Sequence, residues 1–219
     1  MTRPTGSDGA TSVALRYPFH GQWMALNSPA RRVPSHGTHL FGTTYAIDFV
    51  GVDESGRTAR WGWRAALASE PPASFAGFDR PILAPLAGRV VRVHDGELDH
   101  GSRRSLPVGI PYALTQARRV RQGAAAIAGN HVVVSAGEGG PFVLVAHLRR
   151  GSIRVRVGEV IEVGQILGTC GNSGNSTQPH VHVQATDAIP GASARGLPIA
   201  FRARDGALEL PAEKAIVTA

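Results

Sequence analysis

The sequence predicts a mostly β domain, an antiparallel β-sheet core with a groove walled by loops, and three observations lead there. Twenty-seven glycines and 15 prolines in 219 residues, with only 6% aromatic residues, imply many turns and short elements. Apolar residues recur in short alternating runs, the pattern of half-buried strands. The turn Gly137-Glu138-Gly139-Gly140 separates two such runs, which is a hairpin signal. The length suits one domain with loop elaborations.

Taken in order, residues 1–15 read as a polar, flexible lead-in, and residues 16–190 as the β domain. Tyr45 to Val50 is an apolar strand interrupted by one acid, Asp48. Pro81 to Val93 reads as an extended run, a turn at Gly88 and an alternating strand that stops at His94-Asp95-Gly96. Residues 98–128, rich in Arg and Ala, look like an inserted loop with at most a short helix around Ala113 to Gln122. Asn130 to Ser135 and Pro141 to Leu148 form the hairpin, and Arg154 to Ile161 alternates again. The loop Gly171 to Ser176 then leads to a last strand bearing His180 and His182. Residues 191–219 are a C-terminal extension expected to add one further strand.

Composition narrows the function classes. The formal charge of +7 comes from 22 Arg and one Lys, scattered or paired, with no basic stripe interleaved with aromatics, so no nucleic-acid partner is expected. The first ten residues contain no apolar signal core, and no run approaches the roughly 18 apolar residues of a membrane span. With Cys170 as the single cysteine, an intrachain disulfide and a cysteine-based zinc site are both excluded.

The chemistry concentrates in Pro179-His180-Val181-His182-Val183. On a strand, residues two apart share a face, so both imidazoles point into one space. Ala146-His147-Leu148 places a third histidine at the end of the hairpin's return strand, and Asp48 is costly in its apolar strand unless paired or metal-bound. Upstream, Ser35-His36-Gly37-Thr38-His39 supplies two more imidazoles. A catalytic zinc site takes three protein ligands of N and O type and an open position, a count that two histidines and one aspartate meet. His131, beside Asn130 on a strand, is a candidate for contact with substrate or for supporting a ligand, whereas His20, His94 and His100 read as ordinary surface histidines.

From Tyr17 to Ala185 the chain resembles the lysostaphin-type (LytM-like) zinc endopeptidases, which cut the peptide cross-links of bacterial peptidoglycan. The resemblance rests on Ala146-His147-Leu148, on Val157-Gly158-Glu159-Val160 through Gly164-Gln165-Ile166-Leu167-Gly168, and on Gly171-Asn172-Ser173-Gly174 leading to Pro179-His180-Val181-His182. A looser match covers Ala84-Pro85-Leu86-Ala87-Gly88-Arg89-Val90. It implies a lysostaphin-type peptidase fold related to the duplicated hybrid motif, a Zn2+ cofactor, and a peptidoglycan peptide as substrate, located in the cell envelope or outside the cell. It also implies that Asp48 and His182 ligate zinc and that His147 and His180 are catalytic. Family members differ between glycine bridges and bonds at D-alanine or diaminopimelate. The family's first ligand stands four residues before the aspartate, which here is Thr44. His36 is preferred in its place, with His39 the alternative.

Two other readings compete. An inactive relative that binds cell-wall peptide or a partner protein would keep the fold without the chemistry. A lipoyl- or biotinyl-type carrier would share the half-motifs Pro85 to Val90 and Gly158 to Leu167, but its lysine is missing from the hairpin, since the only lysine is Lys214.

Overall fold

The computed structural model describes residues 12–59, 68–103, 121 and 123–219. Fourteen strands are present among them: β1 (Val13–Arg16), β2 (Gln22–Leu26), β3 (Ile47–Gly51), β4 (Pro81–Leu83), β5 (Gly88–His94), β6 (Asn130–Ser135), β7 (Phe142–Leu148), β8 (Val160–Ile161), β9 (Ile166–Thr169), β10 (Val181–Thr186), β11 (Gly196–Leu197), β12 (Ile199–Arg202), β13 (Leu208–Glu209) and β14 (Ile216–Thr218). The main sheet runs β14-β2-β3-β10-β7-β6-β5-β8, with β11 added to β10. All its pairs are antiparallel. A second sheet, β1-β12-β13, contains the parallel pair β1/β12, and β4 pairs with β9 as a third. The fold is therefore mostly β with an antiparallel core, as its sequence predicts.

Alternation assigns the two faces of the main sheet. Ile47 and Phe49 of β3, Val181 and Val183 of β10, Val143 and Val145 of β7, and Val132 and Val134 of β6 all enter one core. The small sheets cover that face with Leu15, Ile82, Leu167, Ile199 and Phe201. Phe201 stacks on Tyr17 at 4.9 Å between centroids and meets Phe49 edge-on at 5.3 Å, so the chain after residue 190 closes the core. The opposite face carries Asp48, His182, Gln184 and a smaller apolar cluster of Ala128, Val133, Leu144 and Ala146. Packing is thus on one side of the sheet and chemistry on the other.

Several boundaries differ from expectation. Strand β1 begins at Val13, inside the stretch read as a lead-in, because Val13 to Arg16 pair in register with Ile199 to Arg202. Residues 191–219 hold four short strands rather than one. The alternating run from Arg154 shrinks to Val160–Ile161, since Gly158 turns the chain at φ 89° and Glu159 N–H donates to the Arg156 carbonyl. Leu40–Tyr45 is a kinked 3-10 segment. The helix expected around Ala113 to Gln122 lies outside the described residues except for Arg121, and a five-residue helix, Ala124–Ala128, follows it.

That helix ends at Gly129, whose φ of 61° belongs to the left-handed region and whose backbone lies against the Ser173–Gly174 loop. A Cβ on Gly129 would come within 2.6 Å of the Ser173 carbonyl carbon. Gly129→Ala is therefore expected to lose about 1–3 kcal/mol of stability through strain and displacement of that loop. Gly137→Ala, where an added Cβ meets nothing within 4 Å, is expected to stay within about 0.5 kcal/mol of wild type. Urea midpoints of the two variants check both expectations.

Candidate metal centre

Neighbouring strands bring the candidate ligands together. Asp48 and His182 are paired across β3 and β10, and both project from the outer face. His36 reaches them from the loop before β3. One donor atom from each of the three lies within 4.8 Å of the others, and all three are buried or half-buried. His39 stands apart: it is exposed, with Nδ1 beside Thr44 Oγ1 at 3.0 Å. Thr44, which occupies the family position of the first ligand, is in the kinked segment that brings the chain from His36 to β3.

The hydrogen bonds around these residues settle which nitrogens are donors. Gln184 Nε2 donates to the Phe41 carbonyl at 2.8 Å, so its Oε1 faces His182 and accepts from His182 Nε2–H at 2.8 Å. His182 then presents the lone pair of Nδ1 toward Asp48 Oδ1, 2.9 Å away. Ser35 Oγ donates to the Thr43 carbonyl and accepts from His36 Nδ1–H at 3.0 Å. His36 Nε2 is left with its lone pair toward Asp48 Oδ2 at 3.1 Å. Each tautomer is assigned from its network. Three acceptors converge, and acceptors at such distances require a proton or a cation between them.

The set fits zinc. Tetrahedral ligands held at about 2.0–2.1 Å from zinc lie roughly 3.3 Å apart, close to the separations found here. Outer partners that orient each ligating imidazole, Gln184 and Ser35, are the usual support of such sites. Asn27 Nδ2 donates to Asp48 Oδ2 at 2.7 Å and holds the carboxylate in place. Burial alone would raise the Asp48 pKa; the charges of His36 and His180 and the hydrogen bonds of His182 and His36 outweigh it and hold the group well below the usual carboxylate range. In metal-free protein a proton can occupy the gap, and His36 shifts accordingly. Burial lowers its pKa, but the charge of Asp48 and its hydrogen bond raise it by more.

His147 and His180 flank the group, with rings 4.5 Å apart. His180 immediately precedes β10 and lies on the side of His182; its Nδ1–H donates to the Gln178 carbonyl at 2.8 Å, which leaves Nε2 3.7 Å from Asp48 Oδ1. His147 reaches this face by a different route. Asn130 of β6 pairs with Leu148 and Val132 with Val145, so Ala146 and His147 together oppose His131 in a bulge. His147 adopts φ 63° there, and its Nδ1–H donates to the Ser173 carbonyl at 2.9 Å. This left-handed conformation costs on the order of 1–3 kcal/mol and is retained where the surroundings impose it. Burial, then the neighbouring His180 and His182, hold His147 well below the usual imidazole range. Burial likewise lowers His180, against the opposing pull of Asp48. Both rings are neutral at pH 7, each with a free lone pair on Nε2.

Together these groups line one end of a cleft of about 220 Å³, which continues across the sheet past Leu144 and Ile127 to His131 and Arg92. Gln184, Ser35, Asn27 and Ser173 were not singled out by sequence reasoning. Gln184 was the one with a visible signal, standing two residues after His182 on the same strand face.

Comparison with known proteins bears on this geometry. Residues 109–190, which include His147, His180 and His182, match the model of Peptidase family M23. That segment, somewhat over a third of the chain, is thus similar to this peptidase family, the one whose resemblance was read from the motifs. No curated protein matches this chain. Similar solved structures include the catalytic domain of the antimicrobial peptidase lysostaphin from Staphylococcus simulans, 15% identical over 83% of this chain and 86% of that one, with a TM-score of 0.39. A zinc containing peptidase from Vibrio cholerae is 17% identical over 88% of this chain and 43% of that one, with a TM-score of 0.41. A peptidase M23 from Pseudomonas aeruginosa, described as putative, is 22% identical over 57% of this chain and 39% of that one, with a TM-score of 0.34. The chain thus spans less than half the length of the latter two.

The buried His131 gives a pH dependence apart from the metal ligands. Its pKa falls to about 4, chiefly through burial, with the charges of His94 and Arg92 adding to the effect. A histidine whose folded pKa is depressed contributes stability above its unfolded value of about 6.5, and that stability is lost as pH falls toward the folded value. Wild type should therefore lose stability between about pH 6.5 and 4, and His131→Phe should lose less over that window. Guanidinium midpoints of metal-free protein at both ends of the window measure the difference; parallel losses would remove His131 from the explanation.

Proposed function

We propose that this protein is a zinc-dependent endopeptidase that hydrolyses peptide bonds in the cross-links of peptidoglycan. The observation that carries the reading is the convergence of His36 Nε2, Asp48 and His182 Nδ1, whose outer hydrogen bonds leave only acceptors facing inward. His36, Asp48 and His182 would hold the ion. Zinc bound there would supply Lewis acidity, lowering the pKa of water toward about 7 and polarising the carbonyl to be attacked.

The chain's own residues provide the proton chemistry. His147 and His180 are neutral, buried and fixed through Nδ1 to backbone carbonyls, so each can accept a proton only at Nε2. One such group removes a proton from the attacking water at Nε2 and returns it to the leaving amine, and the other, with only a lone pair at Nε2, accepts a hydrogen bond that orients the water for attack. No carboxylate is needed as the base. Leu144 and Ala146 give the cleft beside these histidines an apolar wall, against which electrostatic interactions strengthen.

Purified protein is expected to bind about one zinc and to lose its hydrolytic activity to a chelator. His182→Ala and Asp48→Ala should lose the metal, while His147→Ala should retain it and turn over at a rate lower by roughly 10² or more. Metal analysis with a peptidoglycan zymogram reads these outcomes, and full activity after verified metal removal defeats the mechanism.

His36 and His39 differ in the same assay. His36→Ala removes a direct ligand, whereas His39→Ala removes an exposed neighbour and should cost at most the roughly 10-fold of a supporting contact. Competition with a chromogenic chelator at fixed pH measures both. A collapse of affinity in His39→Ala alone would reverse the assignment.

A further inference from the structure

The far wall of the cleft holds a charge that the proposed hydrolysis does not use. Arg92 lies on β5, three strands from the strand that bears His182, and lines the same cleft. Its position depends on an irregularity. Val90 and Val93 both enter the main core, a spacing of three that regular alternation forbids. The register of β5 against β6 shifts between Val90 and Arg92, and this bulge turns two consecutive residues outward. Val91 packs on the outer cluster with Val133 and Leu144, and Arg92 lines the cleft. Without the extra residue, Arg92 would share the core-facing side with Val90.

A guanidinium so placed calls for an anion. Arg92 is half-buried, and one of its five N–H groups is spent on the Pro190 carbonyl at 2.8 Å. Arginines that pair with acids among the described residues include Arg31, Arg57, Arg149 and Arg195; no carboxylate among those residues pairs with Arg92. Of the residues outside the description, only Asp8 is acidic. The wall beside Arg92 is apolar, with Ile127, Ala128 and Leu144. His131 completes it: Nδ1–H donates to the Gly129 carbonyl at 2.7 Å and the ring stacks on His94 at 5.5 Å. The ring is neutral, so Nε2 is an acceptor. A fixed cation with spare donors beside a neutral acceptor complements a carboxylate with a neighbouring N–H, the two groups that an amino-acid residue with an unblocked carboxyl presents.

We propose that Arg92 binds a free carboxylate of the peptide being cut, so that the substrate cross-link contains a residue with an unblocked carboxyl group and is not a bridge of glycines alone. This inference rests on the peptidase reading for the word substrate, but its binding step can be read without turnover. Three strand spacings put the β5 and β10 backbones on the order of 14 Å apart, and an extended peptide advances about 3.3 Å per residue, so the carboxylate lies within about four residues of the bond cut. A planar guanidinium can engage it with two parallel hydrogen bonds, which a carboxamide does not match.

The test uses the zinc-loaded full chain and two peptides containing a D-alanyl–diaminopimelyl linkage. In both, a methyleneamine replaces the scissile amide; one has free diaminopimelate carboxyls and the other has them amidated. Calorimetry is expected to show the acid bound at least about tenfold tighter than the amide, the scale of a hydrogen-bonded charge pair. Arg92→Gln should abolish that preference with zinc content unchanged. Arg92→Lys, which keeps the charge and loses the fork, should retain part of it and guards against a mere folding defect. Equal binding of the two peptides by wild type, no binding of either, or a preference that survives in Arg92→Gln would each overturn the inference. Hydrolysis of the unmodified peptides is scored separately: an Arg92-dependent preference without cleavage would leave this inference standing and overturn the peptidase reading.

Discussion

A buried carboxylate faced by imidazole lone pairs is the constraint on which the rest of this structure depends. Asp48 sits in a strand whose neighbours Ile47 and Phe49 are fully buried, and its side chain is almost equally withdrawn from water. An isolated carboxylate there would be expelled or protonated. Asn27 donates to it, and positive charge on the surrounding histidines when they are protonated keeps it ionised, while Gln184 and Ser35 turn His182 and His36 so that, when neutral, their acceptors face inward. The site is therefore incomplete as a purely covalent structure, and the missing positive charge is supplied by protons or by a metal ion.

The two-sided sheet solves the remaining mechanical problem. One face is buried under the β1-β12-β13 and β4-β9 sheets, with aromatic packing among Tyr17, Phe49 and Phe201. That packing frees the other face from structural duty, so polar groups can be placed on adjacent strands at fixed spacing. Side chains on strands hold position better than side chains on loops, which matters where misplacement by an ångström is costly. Two bulges break the alternation on this face, at His147 and at Arg92, and each turns outward a residue that simple parity would send to the core. Bulges next to functional sites commonly serve to re-aim side chains.

Much of this was legible in the chain itself. Two short β-branched and apolar runs joined by the glycine-rich turn 137–140 predicted the hairpin of Asn130–Ser135 with Phe142–Leu148 almost to the residue, although both faces of each strand turn out to be buried. The His180/His182 pair read directly as two imidazoles on one face. The Arg154 run misled because its alternation came from a tight turn at Gly158 rather than from pairing, and the C-terminal extension was underestimated because strands of two to four residues carry almost no periodic signal.

By itself the sequence determined the β class, the shared face of His180 and His182, and the need of Asp48 for a partner, because these follow from a period of two and from the cost of burying charge. It left His36 and His39 as rivals, since a flexible loop places no constraint on which imidazole returns to a strand. Only the tertiary structure separated them, bringing His36 to 3.1 Å from Asp48 while His39 stays at the surface beside Thr44. It alone also joined Gln184 to Phe41, Ser173 to His147 and Arg92 to the cleft, because those relations depend on strand order and on bulges, which register fixes across a sheet and no local pattern records.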